Sequence, residues 1–195
     1  MKTFLAISIA MLMIVVFSGR ATAENDATGS STVKCQRSQQ KAERKAHIQQ
    51  QKQENKQFRH GLKGVKGSEK TDAIVAQYET QYKENKAFAQ QQHTENMAFL
   101  NSKLATNTKL SDAQKTELTT FFESQYQENV SFRDKQHTEN VSYFTSVAND
   151  AALTMDQKKA KLKEYFAAQK AETKSHIQQQ QSERKTEAES LKTTK

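Results

Sequence analysis

The chain has 195 residues, 30 basic against 22 acidic side chains for a formal net charge of +8, five glycines, one cysteine and no proline. Gln, Lys, Glu and Ala dominate and no segment alternates apolar with polar residues as a half-buried strand does, so the composition points to an all-α chain. A single cysteine excludes an internal disulfide, and basic residues interspersed with acidic ones form no stripe of the kind that follows nucleic acid.

Met1 to Ala23 reads as a secretory signal: Lys2 gives the basic start, an apolar run extends from Phe4 to Phe17, and Ala21-Thr22-Ala23 is a small-x-small cleavage site. The apolar run is short for a membrane span. The expectation is an exported, soluble protein of the periplasm. Secretion from a eukaryotic cell is the alternative, in which Asn129-Val130-Ser131 and Asn140-Val141-Ser142 would be glycosylation sequons. Without its signal the chain keeps a charge near +6, enough for mild attraction to acidic partners and at most peripheral contact with an anionic membrane.

Residues 24–31, rich in Ser, Thr and Gly, are expected to be a disordered lead-in. A first helix is then predicted from about Val33 to His60, stopping at Gly61 beside Gly64 and Gly67. Thr71-Asp72 would cap a second helix running to about Leu104. Ser111 to Gln114 and Thr154 to Gln157 have the hydroxyl-x-x-Gln form of a capping box. They predict a third helix over about 112–147 and a fourth over about 155–191. Links this short between long rods predict antiparallel helical hairpins.

The segment Gln81 to Phe99 recurs at Gln125 to Tyr143 with ten of nineteen positions identical, and weaker copies lie at Lys45 to Phe58 and Lys174 to Glu187. Their aligned glutamates, Glu54, Glu95, Glu139 and Glu183, are 41, 44 and 44 residues apart, the mark of a repeated supersecondary unit. An 11-residue period runs inside each copy, as in Asn85 and Asn96 or Phe88 and Phe99. Eleven residues are close to three helical turns, so Ile74, Tyr78, Gln81, Asn85, Phe88, Gln92, Asn96 and Phe99 share one face. Leu118, Phe122, Gln125, Asn129, Phe132, Gln136, Asn140 and Tyr143 repeat it.

Such a face is expected to be a helix–helix seam whose amides set register. Replacing Asn85, Asn96, Asn129 and Asn140 with Leu would then raise stability while loosening pairing. The outer copies place His47 and His176 where the inner ones have Phe88 and Phe132, so helices two and three are expected to form the apolar centre. The core is thin, and dimerisation would bury what one chain leaves open. Part of the face is expected to remain a protein-binding surface, formed by Tyr82, Phe88, Phe99, Phe121, Phe132, Tyr143 and Phe144.

No glycine-rich phosphate loop, CxxC, HExxH or nucleophile elbow is present, so neither an enzyme nor a cofactor is expected. The repeated His-Thr-Glu, with His93 and Glu95 or His137 and Glu139, sets side chains on opposite sides of a helix. Metal binding would need His93 and His137 to meet across helices.

Leu110-Ser111-Asp112-Ala113-Gln114 and Leu153-Thr154-Met155-Asp156-Gln157 resemble the paired LTxxQ motifs of the Spy/CpxP family of periplasmic proteins, with Ser111 in place of the first Thr. The motif positions are Leu110, Ser111 and Gln114 in one box and Leu153, Thr154 and Gln157 in the other. What the resemblance implies is a four-helix hairpin fold, a cradle-shaped dimer, and ATP-independent chaperone activity or envelope-stress signalling; related members sense or sequester metals. The leading expectation is a protein that binds unfolded or partner proteins on an amphipathic helical surface. The alternatives are a self-assembling helical scaffold or a periplasmic metal-binding protein.

Overall fold

A chain without proline and with glycine confined to a few places has little to interrupt a helix once one is nucleated. The computed structural model describes residues 27–193, with side chains from Lys34 to Ser190; the expected signal segment and residues 24–26 of the expected lead-in lie outside them. Four helices follow one another: α1 (Ala27–Gly61), α2 (Gly67–Thr106), α3 (Asp112–Asn149) and α4 (Met155–Thr193). The described residues contain no strand, and no helix among them is long and apolar enough to cross a membrane.

Helix α1 begins at Ala27, so residues 27–31 are helical where a disordered lead-in was expected. No proline stands there to stop the winding. Helix α2 begins at Gly67 rather than Asp72. Gly64 and Gly67 take φ of 92° and 61°, values that a side chain would strain, and this re-aims the chain early enough that Thr71 falls inside the first turns and is buried.

The other two starts are fixed by local chemistry. The Ser111 Oγ accepts from the Gln114 N–H at 3.2 Å while the Gln114 Oε1 accepts from the Ser111 N–H at 2.9 Å, a reciprocal box that satisfies two otherwise unpaired donors. Thr154 and Gln157 do the same at 3.3 and 2.8 Å.

The chain divides into two compact units, the first ending at Gln81 and the second beginning at Tyr82, within α2. In the first unit Leu62 and Ile74 are buried together with the polar Gln40, Gln51, Asn55 and Gln81. The Asn55 Nδ2 donates to the Gln81 Oε1 at 3.2 Å, joining α1 to the start of α2.

In the second unit α3 lies along α4. Gln125 meets Glu183 at 3.3 Å, Asn129 meets Gln180 at 2.9 Å, Gln136 meets Thr173 at 3.1 Å, and the Tyr143 ring stacks on Tyr165 at 3.9 Å. Partner numbers fall along α4 as they rise along α3, so the two helices run in opposite directions. Apolar burial concentrates at one end of this pair, at Phe144, Val147, Leu162 and Phe166.

Candidate protein-binding face

The second unit is organised by the repeat. Tyr82 of α2 stacks on His137 of α3 with centroids 3.7 Å apart, and His93 of α2 stacks on Tyr126 of α3 at the same separation. Tyr82 and Tyr126 are equivalent positions of two copies, as are His93 and His137, each pair 44 residues apart. The hydroxyls follow the same rule: Tyr82 donates to the Asp134 carboxylate and Tyr126 donates to the Gln90 Oε1 at 2.6 Å, where Gln90 and Asp134 are again equivalent. What α2 offers α3, α3 offers back, which is the contact pattern of a two-fold interface written within one chain.

Between α3 and α4 the same reciprocity appears in amides. The Asn129 Nδ2 donates to the Gln180 Oε1, while Thr173, at the position of Asn129, donates to the Gln136 Oε1. The Gln125 Nε2 donates to Glu183 and the Gln169 Nε2 to Glu139, at 3.3 and 3.2 Å. Across the four copies one glutamine pair recurs eleven residues apart, as Gln40 and Gln51, Gln81 and Gln92, Gln125 and Gln136, Gln169 and Gln180. All but Gln169 are buried. The seam expected from the sequence is therefore made mainly of amides and ring stacks, with hydrogen bonds offsetting only part of the desolvation that buried amides incur.

The expected binding aromatics do not form one open stripe. Phe144 is buried, in the core with Val147 and Phe166, because its helix end is where aliphatic residues gather. Tyr82, Phe88, Phe99, Phe121, Phe132 and Tyr143 are half-buried. Phe132 stacks on His176 at 4.1 Å and Tyr143 on Tyr165. Phe121 meets Phe122 edge-on at 5.6 Å, and the Lys103 ammonium lies 5.4 Å from the Phe99 ring. Of the motif residues, Ser111, Gln114, Thr154 and Gln157 build the two caps, and Leu110 and Leu153 are half-buried in the turns before them.

The seam asparagines are not equivalent either. Asn129 is buried, Asn85 and Asn140 are half-buried, and Asn96 is exposed, so the four do not share one degree of burial. His93 and His137 stack on rings 44 residues apart in the sequence and on different helices, each with its own partner, rather than on one another. Among the described residues no group of three His, Cys, Asp or Glu side chains could hold a metal ion. Cys35 is an exposed free thiol.

Sequence reasoning missed the partners of the rings. His176 was expected in a polar outer copy and Tyr165 was not singled out, yet each covers an inner aromatic. Their signal was present, since His176 stands 44 residues beyond Phe132 and an imidazole is a flat ring of the right size to stack.

Two carboxylates at the α2·α3 contact are held in their charged form. Burial works to raise Asp134, but the Tyr82 hydroxyl and the Lys86 ammonium, 2.9 Å away, together hold it below the ordinary aspartate value. Hydrogen bonds from Gln127 and then His93, both at 2.8 Å, hold Glu123 below the ordinary glutamate value. A depressed carboxylate adds stability above its unfolded-state pKa of about 4 and loses it as the pH falls through the lower folded value. The melting temperature is therefore expected to fall as the pH drops below about 4. Asp134→Asn should be less stable than the parent at neutral pH and lose less of its stability over that acid range, as followed by circular dichroism; an unchanged acid slope would contradict the assignment.

Comparison with known proteins returns no match to any family model, curated protein or solved structure.

Proposed function

We propose that this chain is an exported helical binding protein that holds unfolded or partner proteins without a nucleotide. The observation that carries the reading is the state of its aromatic rings: Tyr82, Phe88, Phe99, Phe121, Phe132 and Tyr143 are each only partly covered, along helices whose seam is built from amides. A half-covered ring leaves apolar area for an incoming chain, each worth up to about 1.5 kcal/mol when buried further. Gln91, Thr94 and Lys83 stand exposed on the same helix and supply hydrogen bonds and charge. Several weak contacts of this kind favour capture with ready release, as a binder that spends no nucleotide requires.

The test is suppression of aggregation of an unrelated unfolding protein by the wild-type chain and by Phe88→Ser/Phe99→Ser, which changes two rings eleven residues apart on α2. Suppression is expected to fall about fivefold, matching the loss of roughly 1 kcal/mol of binding, with melting shifted by only a few degrees. Absence of suppression by the wild-type chain, or full suppression by the folded variant, overturns the reading.

A further inference from the structure

The two turns that follow repeat copies differ from the first turn in a way that bears on association. Between α1 and α2 the copies are 41 residues apart and the turn holds Gly64 in left-handed backbone. Between α3 and α4 they are 44 apart, four times eleven, and the turn Asp150-Ala151-Ala152-Leu153-Thr154 has neither glycine nor proline. The 11-residue series therefore passes through this turn without losing phase: Gln125, Gln136, Val147, Lys158, Gln169 and Gln180 are eleven apart. If residues 150–154 became helical, α3 and α4 would be one helix with one continuous seam face.

Three observations fit that conversion. Ala151, Ala152 and Leu153 are strong helix formers. The turn is held by a short set of groups: the Asp150 Oδ1 accepts from the Ala152 N–H at 2.9 Å, its carbonyl accepts from Leu153 at 3.4 Å, Thr154 caps α4, and the Lys158 ammonium donates back across the turn to the Ala148 carbonyl at 2.7 Å. Most informative is Met155, 53% exposed and the only exposed large hydrophobic residue among those described. It lies eleven residues after Phe144 and eleven before Phe166, both buried, so in a continuous helix it would occupy the buried line that the turn now interrupts.

We propose that α3 and α4 straighten through residues 150–154 and exchange with a second copy of this chain, α3 of each copy packing on α4 of the other. This goes beyond the binding reading above and does not depend on it. Every seam contact of the closed form is remade in trans: Asn129 meets Gln180 of the partner subunit, and Tyr143 stacks on Tyr165 of the partner subunit. Because opposed residue numbers converge on the turn, the two former turns meet at the two-fold axis, and Met155 is covered by the partner's Leu153. The second copy is the fitting occupant because a helix of the same phase matches glutamines at eleven-residue steps. The turn between α2 and α3 is also in phase, but its Asn107 and Thr108 are poorer helix formers and no large apolar side chain is left exposed there.

The experiment is light scattering of the full chain over a range of concentrations, with circular dichroism to confirm folding. The wild-type mass is expected to rise from one copy to two. Asp150→Ala/Thr154→Ala removes the turn bond and the cap, and should move the transition to at least about tenfold lower concentration. Ala151→Gly/Ala152→Gly touches two exposed residues of the closed form and four helical positions of the pair; it should weaken the dimer on the order of a hundredfold. Met155→Gln should weaken the dimer while leaving the melting of the dilute monomer unchanged. A mass of one copy at every concentration for both the wild type and Asp150→Ala/Thr154→Ala overturns the proposal. So does a dimer whose affinity the glycine pair leaves unmoved; that variant decides the matter even where the double alanine fails to fold.

Discussion

Leu162→Ala lowers the unfolding free energy by about 2 to 5 kcal/mol, the range for a buried leucine that leaves a cavity behind. Leu162 is 2% exposed, and it lies on α4 at the end of the α3·α4 pair where Phe144, Val147 and Phe166 are also buried. Elsewhere the seam is built from amides, whose net contribution per hydrogen bond is only about 1 kcal/mol, so this small apolar cluster carries a disproportionate share of the pairing energy. Urea unfolding followed by circular dichroism measures it. Met155→Ala, at an exposed position on the same helix, should stay within about 0.5 kcal/mol in dilute solution. Equal losses at the two positions would show that the cluster is not where the pair is held.

Asn129→Leu lowers stability by about 1 to 3 kcal/mol, the cost of orphaning a buried polar group. The Asn129 Nδ2 donates to the Gln125 carbonyl at 2.6 Å and to the Gln180 Oε1 at 2.9 Å, and its Oδ1 faces the His176 Nε2 at 3.1 Å. A leucine there would leave His176 and the buried Gln180 facing hydrocarbon. The expectation from the sequence alone was the opposite, since an isolated amide in a coiled-coil seam trades stability for register. A network with several satisfied partners behaves differently, because each member is worth more than its pairwise bond. Asn96→Leu, at an exposed position, should cost less than Asn129→Leu. A gain at Asn129 would restore the register account.

Asn96 and Asn129 show where legibility stops. Both stand in a Glu-Asn pair of the same repeat and on the same predicted face, yet one is exposed and the other is at the centre of a network. The difference lies in the neighbour: α4 brings Gln180 and His176 to Asn129, and pairing partners are not a local property of sequence. What is local was readable. The all-helical class follows from composition, and the Ser111 and Thr154 boxes follow from side chains three residues apart. The early start of α2 was not readable, because Thr71-Asp72 has the form of a cap and only the backbone of Gly67 displaces it.

The candidate binding face divides in the same way. That aromatic and amide positions share one helical face follows from the 11-residue period. Which rings stay partly open does not, because it depends on partners such as His176 over Phe132 and Tyr165 over Tyr143. The reciprocal pairs of Tyr82 with His137 and Tyr126 with His93 were implicit in the repeat, since two equal copies laid in opposite directions must exchange equal contacts. The sequence contained both copies but not the offset between them.

The run of buried glutamines from Gln40 to Gln180 also shapes how the protein responds to temperature. Water released from apolar surface gives unfolding its large positive heat-capacity change, whereas exposure of amide surface reduces it. Helices joined by carboxamides should therefore unfold with an increment below the usual figure of about 12 to 15 cal/mol/K per residue. A small increment flattens the curve of free energy against temperature. Pairing of this kind should lose less on cooling than an all-apolar interface of the same size, because the hydrophobic force that fades in cold water is concentrated in one small cluster and shares the work with amides.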